Sequence, residues 1–229
     1  MNNVLKVLII LLIISNLKSC TQGQQNSYKM TITYVMDPQC GWCYGNSENI
    51  SQLKKQFEDD YEFELLVGGM WLGQNAPKGS VSLSQYIQTH ASRMAHTTGA
   101  EVGQAYYDLA KDSSYIFSSL EPSTAIVAVK QLKADSVFKF ARKIQELLLL
   151  EGQRLDQVQN YYPILDELNI PKEEFKNLWL SKDNLEKTQQ EFIRASSRTN
   201  GFPALLLQDK TLKSGYFDLE SVVKTLSNN

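Results

Sequence analysis

The spacing of apolar residues changes twice along the first half of the chain. Residues 28–37, YKMTITYVMD, alternate and are rich in β-branched and aromatic types, with Ile32, Tyr34 and Met36 on one side. That pattern predicts a strand. From Tyr44 the period lengthens: Ile50, Leu53 and Phe57 recur at three and four, which predicts an amphipathic helix running to about Phe57. Alternation returns at 61–69, YEFELLVGG, with Tyr61, Phe63, Leu65 and Val67 on one face and Gly68-Gly69 as a stop. The order is a βαβ unit. Between its first strand and its helix sits DPQCGWCY, residues 37–44, so two cysteines stand at the carboxyl end of a strand, where α/β folds place their sites.

The stretch 72–198 reads as helix almost throughout. The expected helices are 83–96, carrying Tyr86, Ile87, Met94, His90 and His96; 122–132, with Pro122 as its first residue; 136–152, stopped by Gly152; 171–180; and 184–201. Pro171 and two glutamates open the fourth, which suits the positive end of a helix dipole. Strand character resumes after Asn200-Gly201: an apolar run at 204–207, a turn at Gln208 to Lys210, and a short second strand before Gly215. Residues 218–226 close the chain as a helix with Asp218 as N-cap. Trp71, Trp179 and the leucines at 147–150 read as core, and His90 and His96 as ordinary surface or core polar groups. No internal repeat or low-complexity segment interrupts the order.

The start of the chain follows another logic. One lysine, Lys6, precedes an apolar run from Val7 to Ile14, too short to span a bilayer, which takes about 20 residues. A basic start, a short apolar core and a small-residue exit describe a secretory signal peptide over residues 1–19. The exit, Leu17-Lys18-Ser19-Cys20, resembles a bacterial lipobox. That resemblance implies a lipidated Cys20 as the new N-terminus, with 20–27 as a polar tether. The expected location is the bacterial cell envelope, lipid-anchored to a membrane and facing the periplasm.

Composition adds exclusions. Formal net charge is −2, and cleavage after residue 19 removes two lysines and no acid. No basic run appears, which argues against a nucleic-acid partner. Three cysteines are present, and with Cys20 lipidated only Cys40 and Cys43 remain. Their loop is so small that a bond between them adds little as a staple, because loop-closure stabilisation grows with loop length.

CxxC has four readings. A c-type haem site needs histidine at position 44, which is tyrosine. Zinc needs two more ligands, and His90 and His96 lie about fifty residues away at a spacing unlike a zinc finger. A structural disulfide is disfavoured by the small loop. A redox dithiol suits the geometry: at a helix start, positions three apart share a face, and unpaired N–H groups stabilise a thiolate. Cys40 is then the exposed attacker and Cys43 the shielded resolving thiol. Gly41 lets a substrate chain approach, and Trp42 offers a flat apolar surface to pack or to touch substrate.

CGWC after a strand and NGFPALLL about 160 residues later, together with βαβ at the front and ββα at the back, resemble the DsbA-like branch of the thioredoxin-fold oxidoreductases. The likeness covers about 28–226. It implies an α/β thioredoxin fold with a helical domain inserted between its halves, 28–71 and 199–229, the insertion being 72–198. It implies a cis proline at Pro203 facing the CxxC, with the backbone of Phe202 pairing to an extended substrate and Gly201 allowing the turn. The expected activity is protein-disulfide oxidoreduction on protein thiols and disulfides, recharged by a redox partner. No organic cofactor or metal is expected beyond the Cys40–Cys43 pair. The dipeptide between the cysteines is Gly-Trp, without the histidine of the best-known DsbA pattern, so the direction of electron flow stays open. Two other readings stand beside it: a glutathione-dependent isomerase or transferase of the same fold, which the intact CxxC disfavours, and a non-catalytic binding lipoprotein that uses the pair as a clasp.

Overall fold

A computed structural model describes residues 29–227. The expected signal peptide (1–19), the expected tether (20–27) and Cys20 lie outside the described residues.

Strand β1 (Met30–Met36) leads through two short helices, α1 (Gly41–Gly45) and α2 (Ser47–Phe57), into β2 (Tyr61–Val67). The expected single helix is thus split at Asn46, which caps both pieces, and the CxxC occupies the first of them. Seven helices follow: α3 (Val81–Thr98), α4 (Gln104–Leu109), α5 (Leu120–Leu132), α6 (Val137–Leu149), α7 (Tyr162–Glu167), α8 (Lys172–Trp179) and α9 (Lys182–Arg198). Then come β3 (Ala204–Leu207), β4 (Lys210–Ser214) and α10 (Leu219–Leu226). Helix α5 starts two residues before Pro122, which a first turn tolerates because its N–H groups have no intrahelical acceptor.

The strands form one sheet in the order β2-β1-β3-β4. β1 runs parallel to β2 and antiparallel to β3, and β3 to β4 is antiparallel. The two halves of the fold, far apart in sequence, therefore meet at β1–β3, where Val35 pairs with Ala204 and Tyr34 with Leu205.

β1 alternates in sequence yet is buried on both faces. Ile32, Tyr34 and Met36 join the large core, while Val35 packs with Leu66, Ala204, Leu206 and Ala195 on the other side. Ala195 belongs to α9, so a helix from the stretch read as insertion covers one face of the sheet. A central strand covered on both faces is what a parallel pairing needs. Asp218 caps its helix as read, its side chain accepting from the Ser221 N–H, and the side chains of Ser80 and Ser181 likewise accept from the Leu83 and Asn184 N–H groups. Among the described residues no helix is long and apolar enough to cross a membrane.

Candidate active site

The reactive end of the sheet is built on Asp37, the residue that follows β1. Its carboxylate is wholly buried and takes three hydrogen bonds: from Gln39 N–H at 2.8 Å, Met70 N–H at 2.6 Å and the Ser119 hydroxyl at 3.1 Å. Ser119 in turn is tied to Trp71 in both directions. One side chain thus pins the CxxC loop, the loop after β2 and the start of α5 to one another. Burial pushes the Asp37 carboxyl up to about 6, against the pull of its three donors. Gln145, from α6, donates to the carbonyls of Asp37 and Cys40.

On this frame Cys40 is the N-cap of α1, its sulfur accepting from the Cys43 N–H at 3.4 Å. Both cysteines are free thiols. Cys43 is completely buried, and burial, followed by the neighbouring Cys40, pushes its thiol well above the usual range. Tyr34 donates to the Cys43 carbonyl at 3.2 Å and fixes the turn from within the core. The expectation of an exposed Cys40 is corrected: only 6% of its surface is open, because the inserted helices close over it. Its opening is a cleft of about 160 Å³ walled by Trp42, Met70 and Trp71 on one side and Ile87, His90 and Met94 of α3 on the other. α3 can come this close because residue 45 is glycine: a Cβ there would lie 2.8 Å from the Met94 sulfur and from Thr98.

Residues from the far half of the sequence complete the site. The Phe202–Pro203 peptide bond is cis. The Cys40 sulfur lies 3.7 Å from the Phe202 carbonyl oxygen, in position to donate to it. Pro203 is buried at the head of β3, and Phe202 is half-buried with its ring over Gly68, where a Cβ would fall 2.1 Å from the ring. Trp42 is half-buried, flanked by the Arg93 guanidinium 5.7 Å from its ring centroid and by the Tyr216 ring at 6.4 Å. The residues singled out in the sequence, Cys40, Gly41, Trp42, Cys43, Phe202 and Pro203, therefore come together.

Three residues read differently. Trp71 is a wall of the cleft as well as a core contact of Phe117. His90 lines the cleft, its ring 4.2 Å from that of Tyr86, whereas His96 is exposed. Asp37 carried no signal beyond standing at a strand end before a proline. Among the described residues no three His, Cys, Asp or Glu side chains cluster as metal ligands would.

No family model and no curated protein matches the chain. Solved structures do. A protein from Nitrosomonas europaea assigned provisionally as a protein disulfide isomerase superposes with a TM-score of 0.77 at 21% identity, over 87% of this chain and 97% of that one. The cytosolic disulfide reductase DsbM from Pseudomonas aeruginosa gives 0.69 at 24%, over 86% and 97%. Reduced DsbA1 from Neisseria meningitidis gives 0.55 at 14%, over 89% and 84%. At these identities the likeness establishes the fold. The chain has a thioredoxin fold with an inserted helical domain, in the DsbA-like arrangement.

Proposed function

We propose that the protein is an exported, membrane-tethered thiol–disulfide oxidoreductase acting on protein thiols and disulfides through Cys40 and Cys43. The observation that carries this reading is the meeting of three features: a cysteine pair at a helix start, the first cysteine lining a cleft while the second is completely buried, and the Phe202 carbonyl beside the first sulfur. Neighbours of the same fold described as a disulfide reductase and as DsbA1 support it.

In the reducing direction the Cys40 thiolate attacks a substrate disulfide. The Cys40–substrate S–S bond forms as the substrate S–S bond breaks, and the departing thiolate takes a proton. Cys43 then loses its proton and attacks the Cys40 sulfur, releasing the second substrate thiol. Two electrons pass from the dithiol to the substrate, and the protein is left as the Cys40–Cys43 disulfide. Oxidation of a substrate runs the same steps backwards. The sealed Cys43, with its raised pKa, keeps the first attack on Cys40. Gly41 leaves room for the substrate chain, and Phe202 offers its backbone ahead of Pro203. A second thiol–disulfide protein resets the pair.

Equilibration in glutathione buffers tests the reading. The pair is expected to exchange; Cys40→Ser abolishes exchange, and Cys43→Ser accumulates a mixed disulfide. A pair inert to glutathione overturns the catalyst and leaves the clasp. A reduction potential near −120 to −180 mV assigns oxidation or isomerisation, and one near −270 mV assigns reduction. The anchor is tested separately: Cys20→Ser should move the protein from the membrane to the soluble fraction.

A further inference from the structure

The Cys40 sulfur is closed on its inner side. It accepts from the Cys43 N–H at 3.4 Å, lies 3.7 Å from the Phe202 carbonyl, and has the completely buried Cys43 behind it. Its open side faces the cleft. Thiol–disulfide exchange lines up three sulfurs: the attacker, the one attacked and the one that leaves. A disulfide reaching Cys40 comes through the cleft, so the departing sulfur lies there, roughly 4–5 Å from Cys40 at two S–S lengths. That sulfur leaves with a negative charge.

The cleft offers the charge little. None of its lining residues is a lysine or arginine, and a thiolate released among rings and thioethers without a hydrogen-bond donor is costly. Gln39 Nε2 is spent on the Ser118 carbonyl at 2.8 Å, and its Oε1, buried without a partner, is an acceptor. Tyr86 and His90 stack on each other at the mouth, Tyr86 with 55% of its surface open. The indole N–H groups of Trp42 and Trp71 are much weaker acids than a phenol.

Tyr106 differs. It stands on α4, which packs against α3 and α6, and it lines the cleft with only 4% of its surface open. Among the described residues its hydroxyl has no hydrogen-bond partner, the Cys40 sulfur included. The fully buried side-chain atoms left without a partner are Gln39 Oε1 and Asn46 Nδ2; the Tyr106 oxygen is not one of them and therefore opens on the cleft. Burial, then Tyr115 and Cys40 nearby, push its pKa well above the usual tyrosine value, so it keeps its proton and stands as a donor.

We propose that Tyr106 is a catalytic residue that donates a hydrogen bond to the departing substrate sulfur. The inference rests on the oxidoreductase reading above. As the Cys40–substrate bond forms and the substrate S–S bond breaks, the electron pair stays on the leaving sulfur. Tyr106 holds that thiolate by its O–H and keeps its own proton; the thiolate takes a proton from water as it departs. The absence of a bond between Tyr106 and Cys40 leaves the space that the other sulfurs need.

The test compares the reduced full chain with Tyr106→Phe on two symmetric disulfides. One is 2-hydroxyethyl disulfide, which expels an ordinary alkyl thiolate; the other is dithiobis(nitrobenzoate), whose thiolate is stable without help. Losing a hydrogen bond to a charged group should slow the first by about tenfold or more. The second, with its better leaving group, should change by less than about twofold. Alkylation of Cys40 by iodoacetamide, which expels no sulfur, should be unchanged. So should the urea midpoint, since the hydroxyl has no protein partner. Equal slowing of both disulfides and of alkylation shows that Tyr106 only shapes the site, and overturns the proposal. Unchanged rates with both disulfides overturn it too, and leave the oxidoreductase intact. No reaction of the wild type with either disulfide overturns the parent reading and this one with it.

Discussion

Gly68 follows the end of β2, and its missing side chain is where the Phe202 ring lies. A Cβ at position 68 would sit 2.1 and 2.2 Å from Cζ and Cε1 of that ring. Carbon atoms pack at about 3.5–4.0 Å, so Gly68→Ala demands a displacement of about 1.5 Å. The ring is the far end of a side chain and can move, but its own residue carries the carbonyl facing Cys40 and precedes Pro203 at the head of β3. Overpacking of this kind costs about 1–3 kcal/mol. A shift of about an ångström at the sulfur's partner loop should lower the rate of disulfide exchange by about 10- to 100-fold. Phe202→Ala removes the clash, so the double variant should be more stable than the sum of the two single effects by about 1–2 kcal/mol. Urea unfolding followed by tryptophan fluorescence gives the stability cycle, and exchange with a peptide disulfide gives the rate. If the two stability changes add to within about 0.5 kcal/mol, the Phe202 ring does not lean on Gly68 and the reasoning fails.

Further outcomes follow from the buried charges. The Asp37 carboxyl rises from 3.8 to about 6 in the fold, so the native state holds a proton over pH 4–6 that the unfolded chain has released. Its contribution to stability is complete below pH 4 and is lost as pH rises through 6, a change of about 3 kcal/mol. The stability of the wild type relative to Asp37→Asn should fall by about that amount from pH 4 to 7, and parallel pH curves would contradict it. Lys130 bonds both oxygens of Glu191 at 2.6 Å, with side chains only 19% and 13% exposed, while Glu191 also accepts from the Val67 N–H at the end of β2. Lys130→Met strands that carboxylate and should cost about 3 kcal/mol in denaturant, most of it recovered by adding Glu191→Met. An unchanged midpoint for Lys130→Met would show the pair to be solvated.

The order of elements was legible because it is local. Periods of two and three-to-four, the N-cap at Asp218 and the stop at Gly152 depend on neighbours a few residues away, and they carry into the structure with shifts of up to three residues. CGWC at a strand end was equally legible, since a small-loop cysteine pair has few uses. Pro203 and Phe202 came from resemblance, because nothing local ties a proline at 203 to a cysteine at 40. Periodicity did not reveal that Trp71 and the Ile87–Met94 face of α3 wall a cleft as well as pack on the core. An apolar stripe looks the same whether it packs on a core or walls a cleft.

What the sequence determined by itself is therefore the list of parts: a cysteine pair on a βαβ unit, a helical block, and a closing ββα. What the tertiary structure decided is how those parts bear on the sulfur. Asp37 reaches partners 33 and 82 residues away, Cys40 meets a carbonyl 162 residues away, and α9 returns to cover the second face of β1. These are contacts between surfaces that the chain brings together only on folding. A buried carboxylate finds its donors, and an apolar wall its cleft, once the helical block has closed over the end of the sheet.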